Sequence, residues 1–348
     1  MEYKEGQIGG RLLGEGVYGC TFEPAPRCAG GDVFRTIRGL PAAGKVTVED
    51  PKEETAIGRA IMSIPLAEQY FALPSISCTV SREDVRRDPE SGRCDILKEA
   101  GPMSRFSMLV MPSAGKDLMR WASSNYGRVA ANYDRMLKHL LEGMIIYQRA
   151  GFIHNDIHMG NILVDDAGVA RYIDFGLAFR LEDVHTWADT NMSTNFKPKY
   201  VWKPPEVHAW CMVQSGARLM DGLQQIKDIN PEYEKLELQF PGRKSSLAAL
   251  TEMIQRSAAI RNRDGGAFIQ AYATRFDAWR IGLCMWMVWD DLLRWPGIRD
   301  SALWSRRSII RQVLGGLTDF FVPTRLTAAE ALRILDPTNR LVPETLIR

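Results

Sequence analysis

The sequence predicts an α+β fold in two lobes, a small β-rich N-terminal lobe with one helix and a larger, mainly helical C-terminal lobe. Two observations predict it. Over the first 110 residues, short apolar alternations are separated by Gly and Pro turn signals. From about residue 114 onward, apolar residues recur at helical spacing. The expected lobes are therefore 1–111 and 112–348, and a chain of this length suits two packed cores better than one minimal core.

Residues 8–13 read as a strand, followed by a glycine-rich turn and the strand-like Cys20-Thr21-Phe22. Pro24, Pro26, Gly30 and Gly31 exclude a helix next. Val46 and Val48 alternate with polar neighbours after Lys45, as in a half-buried strand. Residues 52–64 form the one early helix, with Ile57 and Ile61 a turn apart, and 108–111 a buried strand. Tyr133, Leu137, Leu140, Leu141, Met144 and Gln148 mark one helix face, which Gly151 is placed to end. Two stretches read as inserts. Residues 79–101 are charged, with Pro89-Glu90-Ser91-Gly92 as a loop or hairpin tip. Residues 207–276 show helical periodicity over 245–260 and a turn at Gly265-Gly266.

A formal net charge of +2, with 45% hydrophobic and 25% charged residues, gives no electrostatic reason to expect nucleic acid or a membrane as partner. The apolar stretch 281–289 is about half a membrane span and reads as a core helix. The polar start lacks a signal-peptide core. Cys20, Cys28, Cys78, Cys94, Cys211 and Cys284 are scattered without a C-x-x-C pair, so they read as free thiols in a reducing compartment, the cytoplasm.

Four motifs carry chemistry. In Gly14-Glu15-Gly16-Val17-Tyr18-Gly19 the missing side chains let backbone N–H groups approach an anion, and no helix follows, unlike a dinucleotide-binding turn. Lys45, in Ala43-Gly44-Lys45-Val46, sits on a buried strand and needs an anionic partner, either Glu54 or Glu53. Glu54 fits the spacing to Ile57 and Ile61 better; Glu53 would place Ile57 rather than Gly58 one turn on. In His154-Asn155-Asp156-Ile157-His158-Met159-Gly160-Asn161, an acid five residues before an amide allows Asp156 to take a proton and Asn161 to ligate a metal. Thirteen residues on, Asp174-Phe175-Gly176 ends a strand in an acid, an aromatic and a glycine. Weaker signals follow in order: Lys203-Pro204-Pro205-Glu206, then Asp277-Ala278-Trp279-Arg280-Ile281-Gly282, then Arg325 before a helix.

In this order the motifs resemble the eukaryotic-type protein kinases over nearly the whole chain, the two inserts excepted. A closer likeness, to Ser/Thr protein kinases of large cytoplasmic DNA viruses, rests on Tyr18-Gly19-Cys20 with Pro26 and Cys28, on His154 to His158, and on Tyr200-Val201-Trp202. The resemblance implies the two-lobed protein kinase fold and Mg-ATP-dependent phosphoryl transfer to protein Ser/Thr hydroxyls, with Mn²⁺ as a substitute metal. Gly14 to Gly19 would cover the phosphates, Lys45 and Glu54 would pair, and Met111, Pro112 and Ala114 would meet adenine, Met111 as gatekeeper. Asp156 would be the base, Asn161 and Asp174 the metal ligands, and Phe175 would pack on the glutamate helix. Asp277 to Gly282 would start the central helix of the larger lobe, Glu206 would pair with Arg325, and the insert 207–276 would be a docking surface or a structural elaboration of that lobe. A viral source would place the chain in the host cytoplasm or the virion.

Departures matter. His158 stands where these kinases carry lysine, which puts efficiency in doubt. Asn155 replaces the arginine that greets an activation-loop phosphate, so activity is expected without phosphorylation between 177 and 203. The competing readings are a small-molecule kinase of the choline or aminoglycoside type, an ATP-binding pseudokinase, and a metal hydrolase using His154, Asp156 and His158.

Overall fold

A computed structural model describes residues 10–16, 19–101, 103–192 and 196–342. The chain forms two compact units. One comprises Met1–Lys116 with Leu163–Asp166 and Arg171–Gly176; the other comprises Asp117–Ile162, Ala167–Ala170 and Leu177–Arg348.

The first unit is built on an antiparallel sheet. Its strands run in the spatial order Arg11–Gly16, Gly19–Glu23, Leu40–Thr47, Phe106–Pro112, Ile76–Val80, and Thr36–Ile37 hairpins onto the third. Alternation sorts the faces. Cys20, Phe22, Val46, Met108 and Val110 enter the main core. Lys45 lies opposite Leu109, and Ala43 opposite Met111, on the other face. The early helix spans Lys52–Met62. Gly58 lets it lie close to the chain, since a Cβ there would fall 2.0 Å from the Pro74 carbonyl oxygen.

Two expectations about this unit need correction. Residues 79–101 turn at Pro89-Glu90-Ser91-Gly92 as expected, but the rest is not loop. Helices at Arg82–Arg87 and Asp95–Glu99 flank a 3₁₀ turn at Ser91–Arg93. Ser81 caps the first by accepting the Asp84 N–H, and Val85, Cys94 and Leu97 bury their side chains in the sheet's core. Four of the six cysteines are not free thiols. Cys20–Cys94 and Cys28–Cys78 are disulfides, and only Cys211 and Cys284 are free. The partners are 74 and 50 residues apart, and such pairing is set by the folded sheet and insert, which spacing alone does not reveal. The basis for expecting a reducing compartment is therefore gone.

The second unit is largely helical. Its main helices are Tyr126–Arg149, Pro205–Ser215, Gly265–Arg294, Arg307–Leu317 and Ala328–Leu335. Asn125 caps the first, and Gly151, at φ +83°, follows its C-terminus. Residues 281–289 lie inside the 30-residue helix, nearly all buried. No described helix is long and apolar enough to cross a membrane.

That long helix corrects two expectations. Gly265-Gly266 is not a turn but its first residues, with Asp264 as N-cap. The glycines serve helix packing instead: a Cβ on Gly266 would fall 2.0 Å from the His185 ring, on the helix Val184–Asn191. Asp277 consequently lies well inside the helix, not at its start. The stretch 207–276 contains the helices Leu219–Ile229, Glu232–Gln239 and Ser246–Arg256, and its ends run into Pro205–Ser215 and Gly265–Arg294.

Glu206 and Arg325 form a bidentate ion pair at 2.7 and 2.8 Å, both side chains fully buried. Arg325 also donates to the carbonyls of Asp319 and Arg275 and lies over the Trp279 ring. Such a pair is worth little against an apolar replacement, but removing one member strands a buried charge. Arg325→Ala is expected to cost about 3–5 kcal/mol of unfolding free energy. Glu206→Gln combined with Arg325→Met should recover most of it; urea unfolding with non-additive single and double variants is the check.

Candidate active site

Within the first unit, Lys45, Glu54 and Asp174 converge from a strand, a helix and the segment after residue 170. Lys45 Nζ lies 3.3 Å from both Glu54 carboxylate oxygens and 3.3 Å from Asp174 Oδ2. Glu53 has no place in this cluster and is exposed. The Asp174 carboxylate is the most open of the three, with 38% of its side chain exposed against 13% for Lys45 and 16% for Glu54. Asp174 holds a left-handed backbone, φ +56°, and its Oδ1 accepts the Gly176 N–H at 3.3 Å. Phe175 is buried, edge-on to Phe71 at 6.0 Å.

The charges explain the titration. Burial disfavours the Lys45 ammonium, but the attraction of Asp174 and Glu54 outweighs it and raises its pKa. Glu54 also moves up, against the pull of Lys45, because burial and the neighbouring Asp174 carboxylate together disfavour its charge. Both directions follow from two acids sharing one ammonium. The cluster carries one surplus negative charge beside an open carboxylate, which fits a divalent cation.

The glycine-rich hairpin belongs to the same unit. Gly14, Glu15 and Gly16 lie on its first strand and Gly19 opens its second; Val17 and Tyr18 fall outside the described residues. Met111 and Pro112 end the strand Phe106–Pro112, and Ala114 is buried just beyond, after Ser113 donates to the Pro41 carbonyl.

Within the second unit, the loop 154–161 is held from behind by Asp277. Its Oδ2 accepts the His154 N–H and the Tyr147 hydroxyl at 2.9 Å each, and its Oδ1 accepts the Asn155 N–H at 3.0 Å. These bonds fix Asn155 at φ +62°, and its side-chain oxygen accepts from Arg280 at 3.2 Å. Asp156 then faces outward. Asn161 Nδ2 donates to the Asp156 carbonyl at 2.9 Å and to its Oδ2 at 3.2 Å. The amide nitrogen is thereby committed to Asp156, and the amide oxygen is directed away from it, as a metal ligand requires. His158 Nδ1 accepts the Gly160 N–H at 3.0 Å, so a neutral ring carries its proton on Nε2, 3.9 Å from Asp156 Oδ2.

Sequence reasoning missed Tyr200 as a site residue. Its hydroxyl donates to Asp156 Oδ1. Burial, then the Asp156 charge, pushes the phenol far above its usual range, so it stays a donor. Only its place before Pro204-Pro205-Glu206 could have flagged it. The hydrolase trio is not brought together as metal ligands. His154 is buried, and its Nδ1 faces the Asp156 N–H. Among the described residues, the only metal-like cluster is Glu15, Cys20 and Cys94, where the sulfurs are bonded to each other.

The comparisons with known proteins point the same way. The family model that matches is the protein kinase domain, over residues 96–215. The α+β fold, with an antiparallel sheet first and helices after, is consistent with the kinase fold. The probable serine/threonine-protein kinase PknB of Bifidobacterium longum is 30% identical over 95 residues, 27% of this chain and 14% of that protein. Mitogen-activated protein kinase 13 of Mus musculus is 24% identical over 160 residues, 45% of this chain and 41% of that protein. The serine/threonine-protein kinase cst-1 of Caenorhabditis elegans is 29% identical over 106 residues, 28% of this chain and 20% of that kinase. The chain spans less than half the length of each of these three kinases.

Glu54 gives a test with a definite sign. Its raised pKa means that its contribution to stability is full below the ordinary 4.5 and is lost as pH rises through the raised value. At neutral pH the charged side chain is a cost to the fold. Glu54→Gln is expected to keep or raise the melting temperature at pH 7 and to lose that advantage as the pH falls toward 4; a lower Tm at pH 7 would contradict this.

Proposed function

We propose that this protein is an active Ser/Thr protein kinase, moving the γ-phosphoryl group of Mg-ATP to a protein hydroxyl. One observation carries the reading: a strand-borne ammonium shared by a helix carboxylate and an open second carboxylate, with a net negative charge awaiting a cation. The kinase-domain match and the serine/threonine kinases among the relatives support the reaction class.

Under this reading each site residue has a role. Lys45, kept charged by Glu54 and Asp174, binds phosphate oxygens, and the glycine-rich hairpin offers backbone N–H groups to them. Met111, Pro112 and Ala114 meet the adenine. Asp174 in the first unit and the Asn161 amide oxygen in the second are each proposed as metal ligands, and Mg²⁺ would offset charge on the phosphates. Asp156 orients the substrate hydroxyl and takes its proton, and Tyr200 must yield Oδ1 for it to do so. His158 offers its Nε2–H where related kinases place a lysine. Asn155, bonded to Arg280, leaves no arginine to meet a loop phosphate, so activity is expected without one. The likeness to viral kinases rests on the turn, loop and Tyr200 features and marks a line of descent rather than a mechanism.

The insert 207–276 is the proposed docking surface. With Thr318 and Phe320 it lines a small pocket of about 90 Å³ through Leu236, Phe240, Arg243 and Lys244, the proposed seat for a substrate side chain. The buried Glu206–Arg325 pair favours a protein substrate over a small alcohol, because it anchors the segment that would present a polypeptide.

Incubation with labelled Mg-ATP and a peptide library tests the reading. Wild type is expected to label Ser or Thr. Asp156→Asn should slow transfer by about 10²- to 10⁴-fold, and Asp174→Ala should abolish it. Labelling of a small alcohol and no peptide would select the small-molecule reading. ATP binding without transfer at any pH would select a pseudokinase.

A further inference from the structure

The glycine-rich hairpin has little of its own to hold it still. Arg11–Gly16 is the edge strand of the sheet. Nothing lies within 4 Å of where a Cβ on Gly14 would be. Glycines bring the most backbone freedom of any residue, so a hairpin of this composition needs an external restraint to keep one position.

The insert supplies three restraints, on both strands. Leu12 on the first strand donates its N–H to Glu90 Oε2 at 2.9 Å, satisfying an edge donor. This bond chiefly, helped by Arg93, holds the Glu90 carboxyl below its usual range. Glu15 Oε1 accepts the Ile96 N–H at 3.3 Å. Cys20, directly opposite Glu15 in the hairpin, is bonded covalently to Cys94. Glu90 and Cys94 flank the 3₁₀ turn Ser91–Arg93, and Ile96 lies in the helix Asp95–Glu99. The insert is itself anchored: Val85, Cys94 and Leu97 are buried in the sheet's core, and Cys28–Cys78 with the Ala29 N–H to Thr79 bond ties down the strand that leads into it.

We propose that residues 82–99 are a clamp that positions the glycine-rich hairpin over nucleotide phosphates, latched by the Cys20–Cys94 bond. Glu15, Glu90 and Cys94 are its positioning residues. The proposal rests on the reading of the hairpin as a phosphate cover. A dithiol reductant opens the latch: two electrons break the S–S bond, both cysteines take up a proton, and the dithiol closes to its own disulfide. Among the described residues the hairpin then keeps the Leu12–Glu90 and Glu15–Ile96 hydrogen bonds to the insert, and nucleotide binding must supply the ordering that the disulfide had supplied.

The test uses the full chain. Hydrogen–deuterium exchange over residues 11–16 and 19–23 reads the hairpin directly, and titration with ATP and ADP reads its consequence. Cys94→Ser is expected to speed exchange in those strands and weaken nucleotide binding about tenfold, with a smaller change in kcat. Dithiothreitol should do the same to wild type and to Cys28→Ser/Cys78→Ser, and nothing more to the triple variant Cys28→Ser/Cys78→Ser/Cys94→Ser. Glu90→Gln, which leaves the latch closed, should give a smaller shift in the same direction. A folded Cys94→Ser protein with unchanged exchange and unchanged nucleotide affinity overturns the clamp. If no form binds nucleotide, the phosphate-cover reading fails, and the exchange rates still decide whether the insert restrains the hairpin.

Discussion

The second unit depends on what happens at one buried carboxylate. Asp277 has no solvent exposure, and an ionised carboxylate in that position costs several kcal/mol unless its lone pairs are filled. Two backbone N–H groups, a tyrosine hydroxyl and the Arg280 guanidinium fill them. Because two of those donors are the backbone of His154 and Asn155, satisfying Asp277 and shaping the loop are the same event. The left-handed Asn155 is tolerable for the same reason: its backbone N–H and its side-chain oxygen are both spoken for. Asp156 is thereby turned outward, with its own oxygens left to Asn161 and Tyr200.

The first unit solves a different problem, with too many negative charges around one positive one. Lys45 could not be buried alone, and a single glutamate would neutralise it. Burial first, and then the added Asp174 charge, make Glu54 harder to ionise, while the two acids together make Lys45 harder to neutralise. A structure selected for stability alone would drop one acid. Retaining both, with the more exposed one held in a strained backbone, is what a site that recruits a cation looks like.

The features legible in the sequence were those written in contiguous residues. The acid–amide spacing of Asp156 and Asn161, the Asp174-Phe175-Gly176 strand end and the helix carrying Glu54 are each local patterns with a local cause. The sheet-then-helix order was legible for the same reason, since period two and period 3.6 are read a few residues at a time. What could not be read depends on distant partners. Cys20 meets Cys94 only after the insert has folded onto the sheet. Gly265-Gly266 looks like a turn until His185 is seen against it. Tyr200 is one aromatic in a polar stretch until Asp156 is placed beneath its hydroxyl.

The insert shows how a charged, loop-like stretch can become part of a core. Its sequence is dominated by Arg, Glu and Asp, and most of those residues stay at the surface, as the exposed Arg87–Glu83 pair illustrates, while the buried Asp88 accepts from Ser91. Of its few apolar residues, Val85, Cys94 and Leu97 are buried and Ile96 packs half-buried against the same core. Four such side chains are too few to fold on their own. They are enough when the sheet already presents Cys20, Phe22 and Met108 as a surface to pack on. The insert is therefore stable only as an extension of the sheet. A mechanical link to the hairpin is what such an arrangement provides at little further cost, because the packing that folds the insert also brings Glu90 to Leu12 and Ile96 to Glu15.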